Sequence, residues 1–271
     1  MMMLLLALTV TTTGLVACGQ QAEEKTKTTE SKKKIVIGTE PSAAPTAECV
    51  KPVLENEGYE VEITYFDDYI LPDTALVEES IDCNIYQHTP FMESYNKDHD
   101  TDLMMAGLIA YPNLGIYSQK YDSLDAIPKN SQVSITNDAS NEDRALKLLQ
   151  SAGLITLADK PKNGDMYTTA DVINNVKNLE FVSVAEQQLV ESMKDVAISV
   201  CPSSHILENK LDPESAFLME EPNEDAMIGI TIRPADKDSE WVKDLLDAYS
   251  NKDAKESFDK SYKGAWQLVV K

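Results

Sequence analysis

The sequence predicts an α/β fold with mainly parallel strands, divided between two sheets, and three observations carry that reading. Short β-type runs alternate with helical stretches from residue 34 to residue 262, the order found where helices cover parallel strands. At 103–118 the apolar stretches MMAGLI and LGIYS are separated by Tyr111-Pro112-Asn113, the form expected of a chain leaving one sheet for a second. About 237 residues remain beyond a polar N-terminal segment, enough for one large domain or two lobes with a substantial core.

Taken in order, residues 34–38 (KIVIG) read as a strand and 47–57 as a helix ending at Gly58. Residues 60–66 (EVEITYF) alternate as a strand, 72–79 form a helix and 82–86 a strand. A helix over 90–97 opens with proline in its first turn, where the missing N–H costs nothing. Residues 132–136 are a strand, and 141–152 a helix stopped by Gly153. Further strands are predicted at 179–184, 196–200 and 228–233, the last marking a return to the first sheet. Helices over 240–249 and 252–262 then pack back on the first lobe.

The N-terminus sets the compartment. Residues 1–17 carry no charge, and the apolar run over 4–17 is shorter than the ~20 residues a helix needs to span a bilayer. It ends in Leu15-Val16-Ala17-Cys18, small residues before a cysteine, as in a secretory signal followed by a lipid-modified Cys18. The basic segment that usually opens such a signal is absent. Residues 18–34 hold no large apolar side chain and form a flexible tether. The expected location is the extracytoplasmic face of the cell membrane, held by lipid.

A net charge of −22 repels phosphate backbones and anionic lipid, which excludes nucleic acid as a partner and leaves the acyl group as the membrane link. With Cys18 modified, Cys49, Cys83 and Cys201 remain, which permits one disulfide and supplies no paired framework. No Cys-x-x-Cys occurs and His88, His99 and His205 are scattered, so no metal site is expected.

In open parallel sheets, ligands sit beyond the carboxyl ends of the strands. Those ends carry Glu40; Asp67, Asp68 and Tyr69; Gln87 and His88; Asp138, Ser140 and Asn141; and Pro202, Ser203 and Ser204. Arg144 and Arg233 are the only arginines among 24 basic residues, and Arg144 lies in the first turns of a helix capped by Ser140 or Asn141. A guanidinium there suits a ligand carboxylate; the alternative is a surface pair with Asp138, Glu142 or Asp143. His88 either hydrogen-bonds a ligand or caps its helix, while Tyr69 and Tyr86 are pocket walls or core. Ser203-Ser204-His205 offers adjacent serine and histidine without a productive geometry, and no nucleophile elbow or phosphate loop is present, so an enzyme is not expected.

Residues 81–91 (IDCNIYQHTPF) resemble a motif of the form IDAN-F-FQH-x-P-Y-L, and 66–72 (FDDYILP) an F-x-DY-x-x-P element. Residues 136–149 (TNDASNEDRALKLL) are similar to PND-x-x-NE-x-RAL-x-LL, and LGIYS, Ala185-Glu186-Gln187-Gln188 and Tyr262-Lys263-Gly264 also fit. Together they resemble the NlpA/MetQ family, the methionine-binding lipoproteins of ABC importers, over about residues 34–266.

The resemblance implies a two-lobed periplasmic-binding-protein (type II) fold, with lobe 1 at 35–116 plus 232–271, lobe 2 at 117–231, and ligand in the cleft. It implies methionine or a related amino acid or small peptide as ligand, delivery to a permease with a separate ATPase, and no cofactor. Tyr69, Tyr86, His88, Phe91, Asn141 and Arg144 fall on its pocket positions, with Arg144 on the carboxylate and Phe91 where tyrosine is usual. Pro202 and Ile228 stand where two pocket asparagines are expected, with Ser203, Ser204 or His205 available to compensate. Loss of those amides points to a second possibility, a lipoprotein of the same fold acting as a surface interaction protein or adhesin.

Overall fold

The fold is given by a computed structural model that describes residues 33–162 and 164–270. Cys18, the expected signal and nearly all of the tether lie outside the described residues.

The chain opens with β1 (Lys34–Thr39), α1 (Ala44–Asn56), β2 (Glu60–Tyr65), α2 (Leu71–Val77), β3 (Cys83–Asn84), α3 (Thr89–His99) and β4 (Met104–Pro112). A second sheet begins with β5 (Leu114–Tyr117) and β6 (Gln132–Thr136); after α4 (Ala139–Ser151), β7 (Ile155–Leu157) and β8 (Val172–Asn175) pair as a separate two-stranded sheet before the second sheet resumes. β9 (Glu180–Val184), α5 (Leu189–Ser192), β10 (Ile198–Pro202), α6 (Ser203–Glu208) and β11 (Leu218–Met219) complete it. The chain returns through β12 (Ile228–Ile232), α7 (Glu240–Ala248), α8 (Lys252–Tyr262) and β13 (Trp266–Leu268). The first sheet runs β13-β4-β12-β3-β1-β2 and the second β11-β5-β10-β6-β9.

Each sheet has a parallel part, β2-β1-β3 and β10-β6-β9, and antiparallel strands beside it where the chain crosses between lobes. The inner parallel strands β1, β3, β6 and β10 are buried along most of their length, whereas the edge strands β2 and β9 expose part of theirs. Ile35 and Ile37 of β1 are fully buried against Val50 and Leu54 of α1, and α7 and α8 add Leu245 and Phe258 to that core. A separate core joins Val133, Ile135 and Ile198 to Leu146 and Leu149 of α4.

Asn113 is the crossing point. Its N–H donates to Ala265 O at 3.1 Å, beside the first sheet, and its carbonyl accepts from Ser203 N–H at 2.8 Å, beside the second. The expected bounds at 116 and 232 do not coincide with the edges of the two sheets. Residues 114–116 belong to the second sheet, because Leu114 and Ile116 pair with Pro202 and Val200 of β10. Ile228 through Thr231 belong to the first, because β12 pairs along its length with β4 and β3. A strand cannot be divided between lobes without breaking its ladder, and an apolar run in the sequence does not mark which ladder it joins. Gly229 serves this packing: a Cβ there would collide with Met105 Sδ and come within 2.6 Å of the Gly107 carbonyl oxygen of β4.

Candidate ligand-binding cleft

Between the sheets lies a cleft, partly continuous with solvent, lined by residues of both. All six residues predicted for the site line it: Tyr69, Tyr86, His88 and Phe91 from the first lobe, Asn141 and Arg144 from the second. They meet because each follows the carboxyl end of a strand and both sheets direct those ends at the cleft.

Tyr69, Tyr86 and Phe91 make an aromatic corner. The two tyrosine rings stack at 6.0 Å, and Phe91 stands edge-on to them at 6.4 and 6.2 Å. The Tyr86 hydroxyl is turned away from the cavity, donating to Tyr69 O at 2.6 Å and to Asp73 Oδ2 at 3.1 Å. Asp73 is fully buried and also accepts from Asn84 Nδ2 and Gln87 Nε2. Burial pushes its carboxyl up to about 6 although those donors pull it down. Tyr86 thus presents a ring to the cavity and fixes it from behind.

His88 both caps and faces the cleft, so the two readings of it are not exclusive. Its Nδ1 accepts from Phe91 N–H at 3.1 Å as the N-cap of α3, which puts the ring proton on Nε2. Nε2 then donates to Asn141 Oδ1 at 3.0 Å, across the cleft. Burial, and next the charge of Arg144, push the His88 pKa down, so the ring is neutral. The cap of α4 is Asp138, not Ser140 or Asn141: its Oδ1 takes the Asn141 N–H at 2.9 Å, leaving the Asn141 side chain to face His88.

Arg144 forms none of the three surface pairs weighed for it. It is 9 % exposed. Its Nε and one terminal nitrogen both donate to Glu220 Oε2, at 2.8 and 2.5 Å, and that nitrogen also reaches Pro112 O at 2.8 Å. The Tyr111 hydroxyl donates to the same Oε2 at 2.7 Å. Asp143 pairs instead with Lys147, and Glu142 accepts from Thr169 N–H. Burial works against the guanidinium charge, yet Glu220 and Tyr111 hold it more firmly than in water. The other terminal nitrogen has no partner among the described residues.

Several cleft residues were not predicted. Glu186, after β9, lines the cavity, as does Trp266 of β13. Glu186 Oε1 lies 3.2 Å from the Tyr69 hydroxyl and 3.3 Å from His205 Nε2, while His205 Nδ1 faces Glu208 Oε2 at 3.3 Å. Burial opposes the charge on His205, but hydrogen bonds to Glu186 and Glu208 outweigh it and raise the pKa to about 10. His205 is therefore an imidazolium tied to carboxylates. Ser203 donates to or accepts from the Tyr117 hydroxyl at 2.8 Å, and Ser204 Oγ has no partner among the described residues, so neither serine is paired with this histidine. Cys49, Cys83 and Cys201 are buried, and burial pushes the Cys49 thiol up to about 12.

The family model of NlpA lipoproteins matches residues 34–269, nearly the full span of the described residues. The chain belongs to the NlpA lipoprotein family. Among curated relatives, the D-methionine-binding lipoprotein MetQ of Escherichia coli K12 is 34% identical over 254 residues, covering 92% of this chain and 91% of its own. The methionine-binding lipoprotein MetQ of Bacillus subtilis is 31% identical, covering 93% and 92%. Among solved structures, a nutrient-binding protein of Burkholderia cenocepacia bound to methionine superposes with a TM-score of 0.80 at 32% identity, over 87% of this chain and 99% of that one. Likeness at that level establishes the two-lobed binding-protein fold for this member of the NlpA family.

Proposed function

We propose that this NlpA-family protein is a lipid-anchored solute-binding protein on the extracytoplasmic face of the cell membrane. It captures methionine, or a related amino acid or small peptide, and delivers it to an ABC permease energised by a separate ATPase; it catalyses no reaction. The observation that carries this reading is the meeting of Tyr69, Tyr86, His88, Phe91, Asn141 and Arg144 around one inter-lobe cavity. The aromatic corner suits an apolar side chain, and the guanidinium suits a carboxylate. The lobes are residues 34–112 with 228–268, and 114–219, joined through Asn113 and the segment after Met219.

Isothermal titration of the soluble part against a panel of amino acids and short peptides tests the reading. Saturable binding of methionine or a methionine-containing peptide is expected. If no member binds, the protein is better described as a surface interaction protein of the same fold, a reading motivated by Pro202 and Ile228 on the cavity wall.

Lipid attachment is assigned to Cys18, the cysteine that follows the small residues ending the apolar segment. Cys18→Ser is expected to release the protein from membranes or leave the precursor uncut, read by fractionation and by incorporation of labelled fatty acid. An unaltered fractionation, with no label taken up by the parent, would refute the anchor.

A further inference from the structure

Among the described residues, Arg144 lines the cleft and His205 stands behind Glu186, and both are already engaged: Arg144 by Glu220, and His205 by Glu186 and Glu208. Two acidic side chains, Glu40 and Glu186, line the cavity itself, with burial pushing the Glu40 carboxyl up, while Glu208 and Glu220 stand behind the wall as partners of His205 and Arg144. Glu186 has a spare acceptor. Its Oε1 is shared by Tyr69 and His205, whereas its Oε2 accepts from no described residue, and its side chain is 14% exposed on the cavity wall. Glu40 reaches the same cavity from the other lobe, its two oxygens accepting from the hydroxyl and N–H of Ser42.

Two further wall residues point to a polar ligand independently of these acids. Ser204 and Trp266 are each 5% exposed, and Ser204 Oγ and Trp266 Nε1 are buried with no partner among the described residues. A buried indole N–H can only donate, and leaving it unmade costs free energy, so it calls for an acceptor on the ligand. Pro202 and Ile228, also on the wall, offer no side-chain acceptor to an ammonium group.

We propose that the ligand's ammonium group binds Glu186 Oε2, with the oxygens of Glu40 completing an acidic subsite built from both lobes. This subsite supplies the acceptors that amides at 202 and 228 would have supplied, and it makes a free amine a condition of binding. The acceptor end of the ligand then lies toward Arg144, Ser204 and Trp266. Substrates are amino acids, or peptides with a free N-terminus; hydroxy acids and N-acylated amino acids are rejected. The proposal rests on the solute-binding reading above.

The test pairs a ligand change with a side-chain change. Methionine and its 2-hydroxy analogue, which carries a hydroxyl in place of the ammonium, are titrated into the parent, Glu186→Gln and Glu40→Gln, with circular dichroism confirming the fold. The parent is expected to prefer the amine by roughly ten- to a hundred-fold, the worth of a hydrogen bond to a charged group. Glu186→Gln should bring the two ligands within about threefold, and Glu40→Gln should narrow the gap in the same direction. Equal binding of both ligands by the parent overturns the proposal alone. So does an equal loss for both in Glu186→Gln, which would mean that Glu186 acts only through Tyr69 and His205. If Glu186→Gln does not fold, an unchanged preference in Glu40→Gln overturns the two-lobe subsite. A parent that binds neither these ligands nor any other amine overturns the solute-binding reading together with the subsite.

Discussion

Arg144→Ala is expected to lower affinity for a carboxylate-bearing ligand by roughly thirty-fold to several-thousand-fold, because a buried carboxylate loses one side of a charged hydrogen bond. The same change strands Glu220, whose Oε2 would keep only the Tyr111 hydroxyl. Breaking a buried ion pair from one side costs about 3–5 kcal/mol of stability. Affinity and stability therefore fall together in the single variant, and the fall in affinity alone does not place Arg144 on the ligand. Arg144→Ala combined with Glu220→Gln separates them. Removing the stranded charge should restore much of the urea midpoint, while binding stays weak. If Arg144 serves only to hold Glu220, the double variant will bind like the parent. Arg144→Lys should recover part of both losses, since an ammonium cannot address Glu220 Oε2 and Pro112 O with a planar fork.

How far the sequence revealed this site depends on what each residue answers to locally. Tyr69, His88 and Asn141 follow strands whose apolar runs are plain, and the rule that parallel strands point their carboxyl ends at the ligand finds them. Glu186 follows another such strand, β9, and applying the rule there would have found it too. Glu220 gives no such signal, because its role is fixed by an arginine 76 residues away in the chain. Trp266 lies on a three-residue strand whose place is set by pairing with β4, too short for any periodicity to show. Sheet membership escaped for a related reason: apolar runs identify β4, β5 and β12, but ladder partners decide which sheet owns them. Asp138 as the cap of α4 was a choice among adjacent cap-forming residues, and only the Asn141 N–H settles it.

Asp73 shows how the core behind the pocket holds the pocket's wall. It lies in the first turn of α2, fully buried, with Asn84, Gln87 and Tyr86 donating to it at 2.7, 2.5 and 3.1 Å. Asp73→Ala leaves those donors buried without an acceptor, at about 1–3 kcal/mol for each that finds no substitute. A loss of roughly 3–5 kcal/mol is therefore expected, together with weaker ligand binding as Tyr86 loses its support. Asp73→Asn keeps one acceptor and the side-chain volume, and should cost less. The two also differ in pH dependence. The carboxyl titrates near 6 in the folded protein, above its ordinary value of 3.8, because burial disfavours the charge. A group shifted in that direction contributes stability that is fully present below its unfolded pKa and is lost as pH rises through the folded one. Between pH 7 and pH 5 the parent should accordingly gain about 1 kcal/mol relative to Asp73→Asn, all other titrating groups being common to both. Urea unfolding of parent and variant at those two pH values measures that difference directly. An identical pH response in the two proteins would mean that Asp73 titrates as an ordinary carboxylate, and that Tyr86 is held by a charged partner throughout.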